Sequence, residues 1–149
     1  MRTFLACAVA VAFWFAASPA MHAFTVKSVC VTVEKVRLCV QPRGTCTISQ
    51  VIGEMESDFP MEMFQVSISN RSQRRVKILP EHFYGITEDG FAVVLDAPLF
   101  ESIELRSKLR RQDIPPNGET EGVLFLPAVM GRIQTIVYAG NPVFEVKLF

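Results

Sequence analysis

The sequence is poor in what most chemistries need. Its 149 residues include two histidines, one tryptophan and two tyrosines, and 15 Lys+Arg balance 15 Asp+Glu. Balanced charge excludes a generic nucleic-acid binder, which needs a basic surplus to displace phosphate counterions. Low net charge with half the residues hydrophobic excludes intrinsic disorder. There is no Cys-x-x-Cys pair and no Gly-flanked serine of the nucleophile-elbow kind. Internal repeats, low-complexity tracts and linkers are lacking too, which favours one domain. No apolar run reaches the roughly 20 residues of a bilayer-spanning helix.

What is present begins with an export signal. Arg2 opens the chain, Phe4 to Ala17 form an unbroken apolar run, and Ser18, Pro19 and Ala20 break it. This is the layout of a secretory signal peptide. Cleavage is expected after Ala23, with Ala20 the alternative, so residues 1–23 are read as a signal-peptide helix and residues 24–149 as the mature domain. Arg2 leaves with the leader, which gives 14 basic to 15 acidic residues and a net charge of −1. The expected location is periplasmic or secreted, with no integral membrane span after signal removal. The remaining length can bury a core without metals.

The mature chain reads as short strands separated by turns. Phe24 to Val40 alternates as one long strand, and Gln41 to Gly53 reads as a loop or irregular hairpin. In Met61 to Asn70, Phe64, Val66 and Ile68 form the apolar face. Further strands are expected at Arg75–Leu79, Phe91–Leu95, Ile103–Leu109, Glu121–Leu126, Ile133–Tyr138 and Val143–Phe149, with another short one possible at His82–Ile86 and one helical turn possible in Asp96–Glu104. Turns fall at Glu88-Asp89-Gly90, at Asp113 to Gly118 and at Ala139 to Pro142. No long amphipathic helix stands out. The pattern predicts an all-β fold, an immunoglobulin-like antiparallel sandwich of seven or eight strands, with Val66 and Phe125 facing the core between two sheets. A membrane barrel fits poorly, because Lys147 and Glu145 share the face of Phe149 and charges are costly on a lipid face.

The order of Val31-Thr32-Val33-Glu34-Lys35-Val36, Ser69-Asn70-Arg71-Ser72, Asp89-Gly90, Ile114-Pro115-Pro116-Asn117-Gly118-Glu119 and Gly122-Val123-Leu124-Phe125-Leu126-Pro127 resembles one family. These are the small immunoglobulin-like domains of exported bacterial proteins, of the immunoprotective extracellular protein type. The resemblance covers about residues 26–149. It implies the sandwich fold and no catalytic or cofactor residue. Three cysteines near the start and the long Gln41–Asp58 connection depart from it.

The candidate chemistries are few. Cys30, Cys39 and Cys46 remain after leader removal, an odd number in an oxidising compartment. A Cys39–Cys46 disulfide would close a loop around Pro42 and Gly44. A Cys30–Cys39 bond requires the first strand to fold back near Glu34-Lys35, which unbroken alternation opposes. Cys39 and Cys46 are therefore the disulfide candidates, with Cys30 free and shielded. Met55, Met61 and Met63 with His22 or His82 resemble a soft metal site, but methionine in an alternating strand usually fills gaps. Neither a metal nor a cofactor is assigned. His82 is the one histidine certain to remain as a general base, so no catalytic residue is assigned and the protein is read as a non-enzyme. Arg106, Lys108 and Arg110 share one face of the expected Ile103–Leu109 strand and its continuation, a possible surface for an anionic partner. The reading is an exported, non-catalytic binding or structural module whose partner is an envelope protein or an anionic surface component. The alternative is a periplasmic metal- or thiol-dependent protein.

Overall fold

The computed structural model describes residues 3–6, 27–128 and 131–149. The first four strands are β1 (Thr3–Ala6), β2 (Val29–Val33), β3 (Val36–Ile52) and β4 (Met55–Asn70). Then come β5 (Val76–Ile78), a 3-10 turn at Pro80–His82, β6 (Phe83–Thr87) and β7 (Ala92–Val94). A short helix α1 (Ala97–Ser102) precedes β8 (Gln112–Ile114), β9 (Glu119–Pro127), β10 (Ile133–Ala139) and β11 (Val143–Lys147).

Two antiparallel sheets pack face to face. In the first, β3 lies between β4 and the pair β2 and β1, and β9 flanks β4; the second runs β11-β10-β6-β7, and β5 pairs separately with β8. Between the sheets, Val36, Leu38, Val40, Phe64, Val66 and Ile68 meet Phe83, Ile136, Tyr138, Phe144 and Val146. Full burial of such side chains contributes about 1.5–3 kcal/mol each. The Tyr138 hydroxyl accepts from the Leu79 N–H at 3.2 Å and donates to the Lys77 carbonyl at 3.1 Å, so this large core side chain leaves no polar atom stranded.

One buried polar residue joins two turns at one end of the sandwich. Asn70 has no exposed surface. Its Nδ2 donates to the carbonyls of Arg74 (2.7 Å), Ile114 (3.1 Å) and Pro115 (3.2 Å). Its Oδ1 accepts from the Ser72 N–H and hydroxyl, and its own N–H reaches the Gly118 carbonyl. The Asn70–Ser72 and Ile114–Glu119 segments, far apart in sequence, are thus tied by one side chain.

The strands exceed the expected seven or eight for identifiable reasons. The long first strand is a hairpin, because Glu34 and Lys35 both take positive φ (49° and 64°) and reverse the chain between β2 and β3. β8, which overlaps the expected Asp113–Gly118 turn and pairs with the expected strand β5, and β1 add the others. Of the segment read as a signal-peptide helix, Thr3–Ala6 are extended and pair with Thr47–Gln50; the rest, with both cleavage sites and His22, lies outside the described residues. The expected loop at Gln41–Gly53 is instead strand. β3 runs through it with one irregularity, an extra residue at Arg43 between the pairs Pro42–Phe64 and Gly44–Met63. That bulge flips the strand, so Cys46 and Ile48 join Met61 on the outer face of the first sheet.

Phe125 is corrected in the same way. It is fully buried, but on the outer face of the first sheet. There α1 and its continuation cover it with Leu99, Phe100 and Ile103, the Phe100 and Phe125 rings lying 6.4 Å apart. Asp96 caps α1, its Oδ1 accepting from the Leu99 N–H at 3.1 Å. Beyond α1 the chain reaches the edge of β9 at Ser107–Leu109 through backbone bonds to Val123. This approach requires glycine at position 122, where a Cβ would stand 2.5 Å from the Leu109 Cα.

Candidate functional site

The distal half of the β3–β4 hairpin is the feature most unlike a plain sandwich. Its strands have 17 and 16 residues, about 55 Å at strand rise, whereas those of the second sheet have three to seven. β2 pairs with β3 only over Val36–Val40, and β9 pairs with β4 only over Met61–Ser69. The hairpin therefore continues as a two-stranded arm from about Thr47 to Pro60. Thr3–Ala6 lie along one edge of it. The other edge, Met55 to Phe59, has no strand partner among the described residues; at Pro60 the carbonyl already accepts from the Ala128 N–H at 3.0 Å.

The arm has two unlike faces. Ile48–Phe59, Gln50–Ser57 and Ile52–Met55 are paired across one face, and Ser49–Asp58 and Val51–Glu56 across the other. The Ser49 hydroxyl donates to Asp58 at 2.6 Å on the polar side. On the apolar side Ile48 is buried, whereas at the tip Ile52 is 50% and Met55 72% exposed. Gly53 takes positive φ (66°) and lets the chain turn there. The sequence signal for the arm was available: two runs of strand-compatible residues flank Gly53-Glu54.

The cysteine assignment is overturned. Cys30 and Cys39 face each other in the β2–β3 register and are joined as a disulfide. Cys39 and Cys46 lie on one continuous strand, about 23 Å apart at strand rise, far beyond the roughly 7 Å Cα limit of a disulfide. Cys30 is thus not free, and neither is Cys46. Non-reducing peptide mapping of the purified protein is expected to recover Cys30 linked to Cys39; a Cys39–Cys46 peptide would contradict the hairpin.

The remaining candidate residues are dispersed. Met61 is buried beneath α1, with Met63 partly buried beside it, whereas Met55 stands at the arm tip. Among the described residues no three His, Cys, Asp or Glu side chains gather as a metal site. The His82 ring packs 6.0 Å from that of Tyr138, and its Nδ1 is buried without a hydrogen-bond partner. Arg106, Lys108 and Arg110 do not lie on a strand; this stretch is a turn with one isolated bridge at Lys108. Arg106 and Arg110 are exposed. The Lys108 ammonium turns inward instead, donating to the Phe100 carbonyl at 3.0 Å above the Phe100 ring. A cation at the end of α1 satisfies carbonyls the helix leaves open. A depression lined by Glu34, Arg74, Arg75 and Asn141 among others encloses about 60 Å³, far below the roughly 300 Å³ at which small-molecule pockets begin.

One titratable group stands out. Glu62, on the same face of the first sheet as Leu126, has its carboxyl raised above the ordinary value by burial; the Ile133 N–H and nearby Arg132 oppose the shift. It links the rims of the two sheets.

No family model matches the chain, and neither does any curated protein. Among solved structures, the fold is similar to that of MPT63, a secreted protein from Mycobacterium tuberculosis. The superposition covers 83% of this chain and 90% of that one, with a TM-score of 0.51 and 11% sequence identity. At that identity the likeness concerns the fold, an antiparallel β-sandwich.

Proposed function

We propose that this chain is an exported, non-catalytic module of the cell envelope that acts by binding another protein through the β3–β4 arm. The observation that carries the reading is the arm itself. The hairpin extends past β2 and β9, exposes Ile52 and Met55 at its tip and leaves the Met55–Phe59 edge open. Exposed apolar side chains beside an unpaired edge are costly unless a partner covers them. The Arg2 start and the Phe4–Ala17 run support export, as does the Cys30–Cys39 disulfide, a bond of oxidising compartments. The likeness in fold to a secreted protein agrees with this. The resemblance in turn and strand markers to exported immunoglobulin-like domains points the same way.

The metal or thiol alternative has less support. Cys30 and Cys39 are joined and Cys46 is not free either, and Met61 is covered by α1. The test of the binding reading is photo-crosslinking from position 55 in the native envelope. One discrete adduct that disappears with Ile52→Ser is the expected result; labelling indistinguishable from that at exposed Arg106 would reject the arm as the contact. Intact-mass measurement checks the export reading separately, a mature start near Phe24 or Met21 being expected.

A further inference from the structure

The outer face of the second sheet is apolar where solvent would call for polar residues. Cross-strand register aligns Glu145, Val137, Tyr84 and Val94 in one row, and Lys147, Thr135, Ile86 and Ala92 in the next. In a sandwich the outward positions of antiparallel strands are normally polar. Here Tyr84, Ile86, Val94 and Val137 make a continuous strip. None of them belongs to either core cluster; Val94 is 68% exposed, Tyr84 and Ile86 are half-buried, and Val137 at the centre is buried among them. The strip is bordered on its β11 side by one acid and one base, Glu145 and Lys147, both exposed and two positions apart on the same strand face.

We propose that this face packs against the same face of a second copy of the chain. The border charges select that partner. A two-fold axis lying between the stacked sheets, crossing the strands between the two rows, lays β11 over β11 with the rows exchanged. Glu145 of each copy then meets Lys147 of the other, Tyr84 meets Ile86, and Val94 meets Ala92. The face is complementary to itself in charge and in bulk, as an isologous contact requires. Sheets stack in this manner at about 10 Å with strands near −30°, so no rearrangement of the fold is needed. The face spans only about 14 Å between its edge strands, so it is small beside a standard interface, which takes roughly 800 Å² from each partner. The dimer is therefore weak and concentration-dependent. It goes beyond the arm reading and does not depend on it, because the face and the arm belong to different sheets.

Sedimentation equilibrium of the purified exported protein, from tens of micromolar to about 1 mM, tests the proposal. A monomer–dimer equilibrium is expected. Glu145→Lys and Lys147→Glu should each raise its dissociation constant about tenfold or more, since each places like charges across both symmetric contacts. The double exchange E145K/K147E should bring it back to within about threefold of the parent. Both positions are exposed on an edge strand, so unchanged circular dichroism melting should show the variants folded. If one fails to fold, the other still decides. A monomer throughout the range, a dimer indifferent to both single reversals, or a double exchange no better than the singles would each overturn the proposal.

Discussion

Phe125 and Val137 lie on the outer faces of opposite sheets, and both are buried, but by different means. Phe125 is covered by chain that has come back over its sheet: Leu99, Phe100 and Ile103 sit upon it, and the Lys108 ammonium closes the end of α1. Val137, at 6% exposure, belongs to neither core cluster and has Tyr84 and Glu145 beside it in the same row. One sheet has thus become the middle layer of three along part of its length, and the other has kept a face turned outward. Apolar outward positions are compatible with a single sandwich only if something else covers them. In the first sheet that cover is a dozen residues of the same chain.

This contrast can be broken by substitution. The inter-sheet core sets the scale: Val66→Asp should leave no folded protein, an unpaired buried charge costing several kcal/mol, and a retained cooperative melt would reject the register given for β4. Phe125→Ala should cost about 3–5 kcal/mol in denaturant unfolding, because the cover cannot collapse onto a strand it already touches. Gly122→Ala should cost about 1–3 kcal/mol by pushing the Leu109 backbone away, and should loosen the cover without removing an apolar contact. Tyr84→Ser, at a matching outward position of the other sheet, should change the stability of the dilute monomer by less than about 1 kcal/mol. Equal losses for Phe125→Ala and Tyr84→Ser would mean that the two faces are equally covered.

The smallest effect tests the seam between the sheets. Burial raises the folded-state pKa of Glu62 above its unfolded value. Its contribution to stability is then fully present below the unfolded pKa and is lost as pH rises through the folded one. Glu62→Gln should therefore melt slightly higher than the parent at pH 8, and the gap should shrink toward pH 4. A gap that widens on acidification would show the Arg132 attraction outweighing desolvation.

The two-sheet core was readable from alternation alone. Phe64, Val66 and Ile68 face inward as expected, and Gly90 makes the expected turn with φ of 84°. The first hairpin was also written in the pattern but is easily misread. Val29, Val31 and Val33 are followed by Val36, Leu38 and Val40, so the apolar positions change parity across Glu34-Lys35. A continuous strand would put Val33 and Val36 on opposite faces; a two-residue turn puts them on one. The parity change outweighs the absence of the glycine or asparagine usual at such turns. The partner of Cys39 follows from that register. The bulge at Arg43 and the cover over Phe125 were not readable in the same way. A bulge leaves only one extra residue as its trace; the unbroken apolar run Val123-Leu124-Phe125-Leu126 does mark a strand buried on both faces, but a run without alternation does not say which face Phe125 takes. The arm shows a further limit: Pro42, Gly44 and Gly53 read as loop markers along a stretch that is strand, and only the shorter neighbouring strands reveal that Ile52 and Met55 extend past the body.

The β3–β4 hairpin also bears on the order in which the chain assembles. Its pairs begin at Ile52–Met55, three residues apart, and extend outward to Val36–Asn70, 34 apart. Each closes only slightly more chain than the last. The pairing of β4 with β9 instead joins residues separated by 50 to 66 positions, and loop-closure entropy must be overcome before any of those contacts forms. The arm is thus the natural nucleus, formed from its tip toward the body, and docking of β9 is the late step. Pulsed hydrogen exchange during refolding should protect the amides of Val36–Asn70 before those of Glu119–Pro127; the reverse order would place the nucleus in the sandwich.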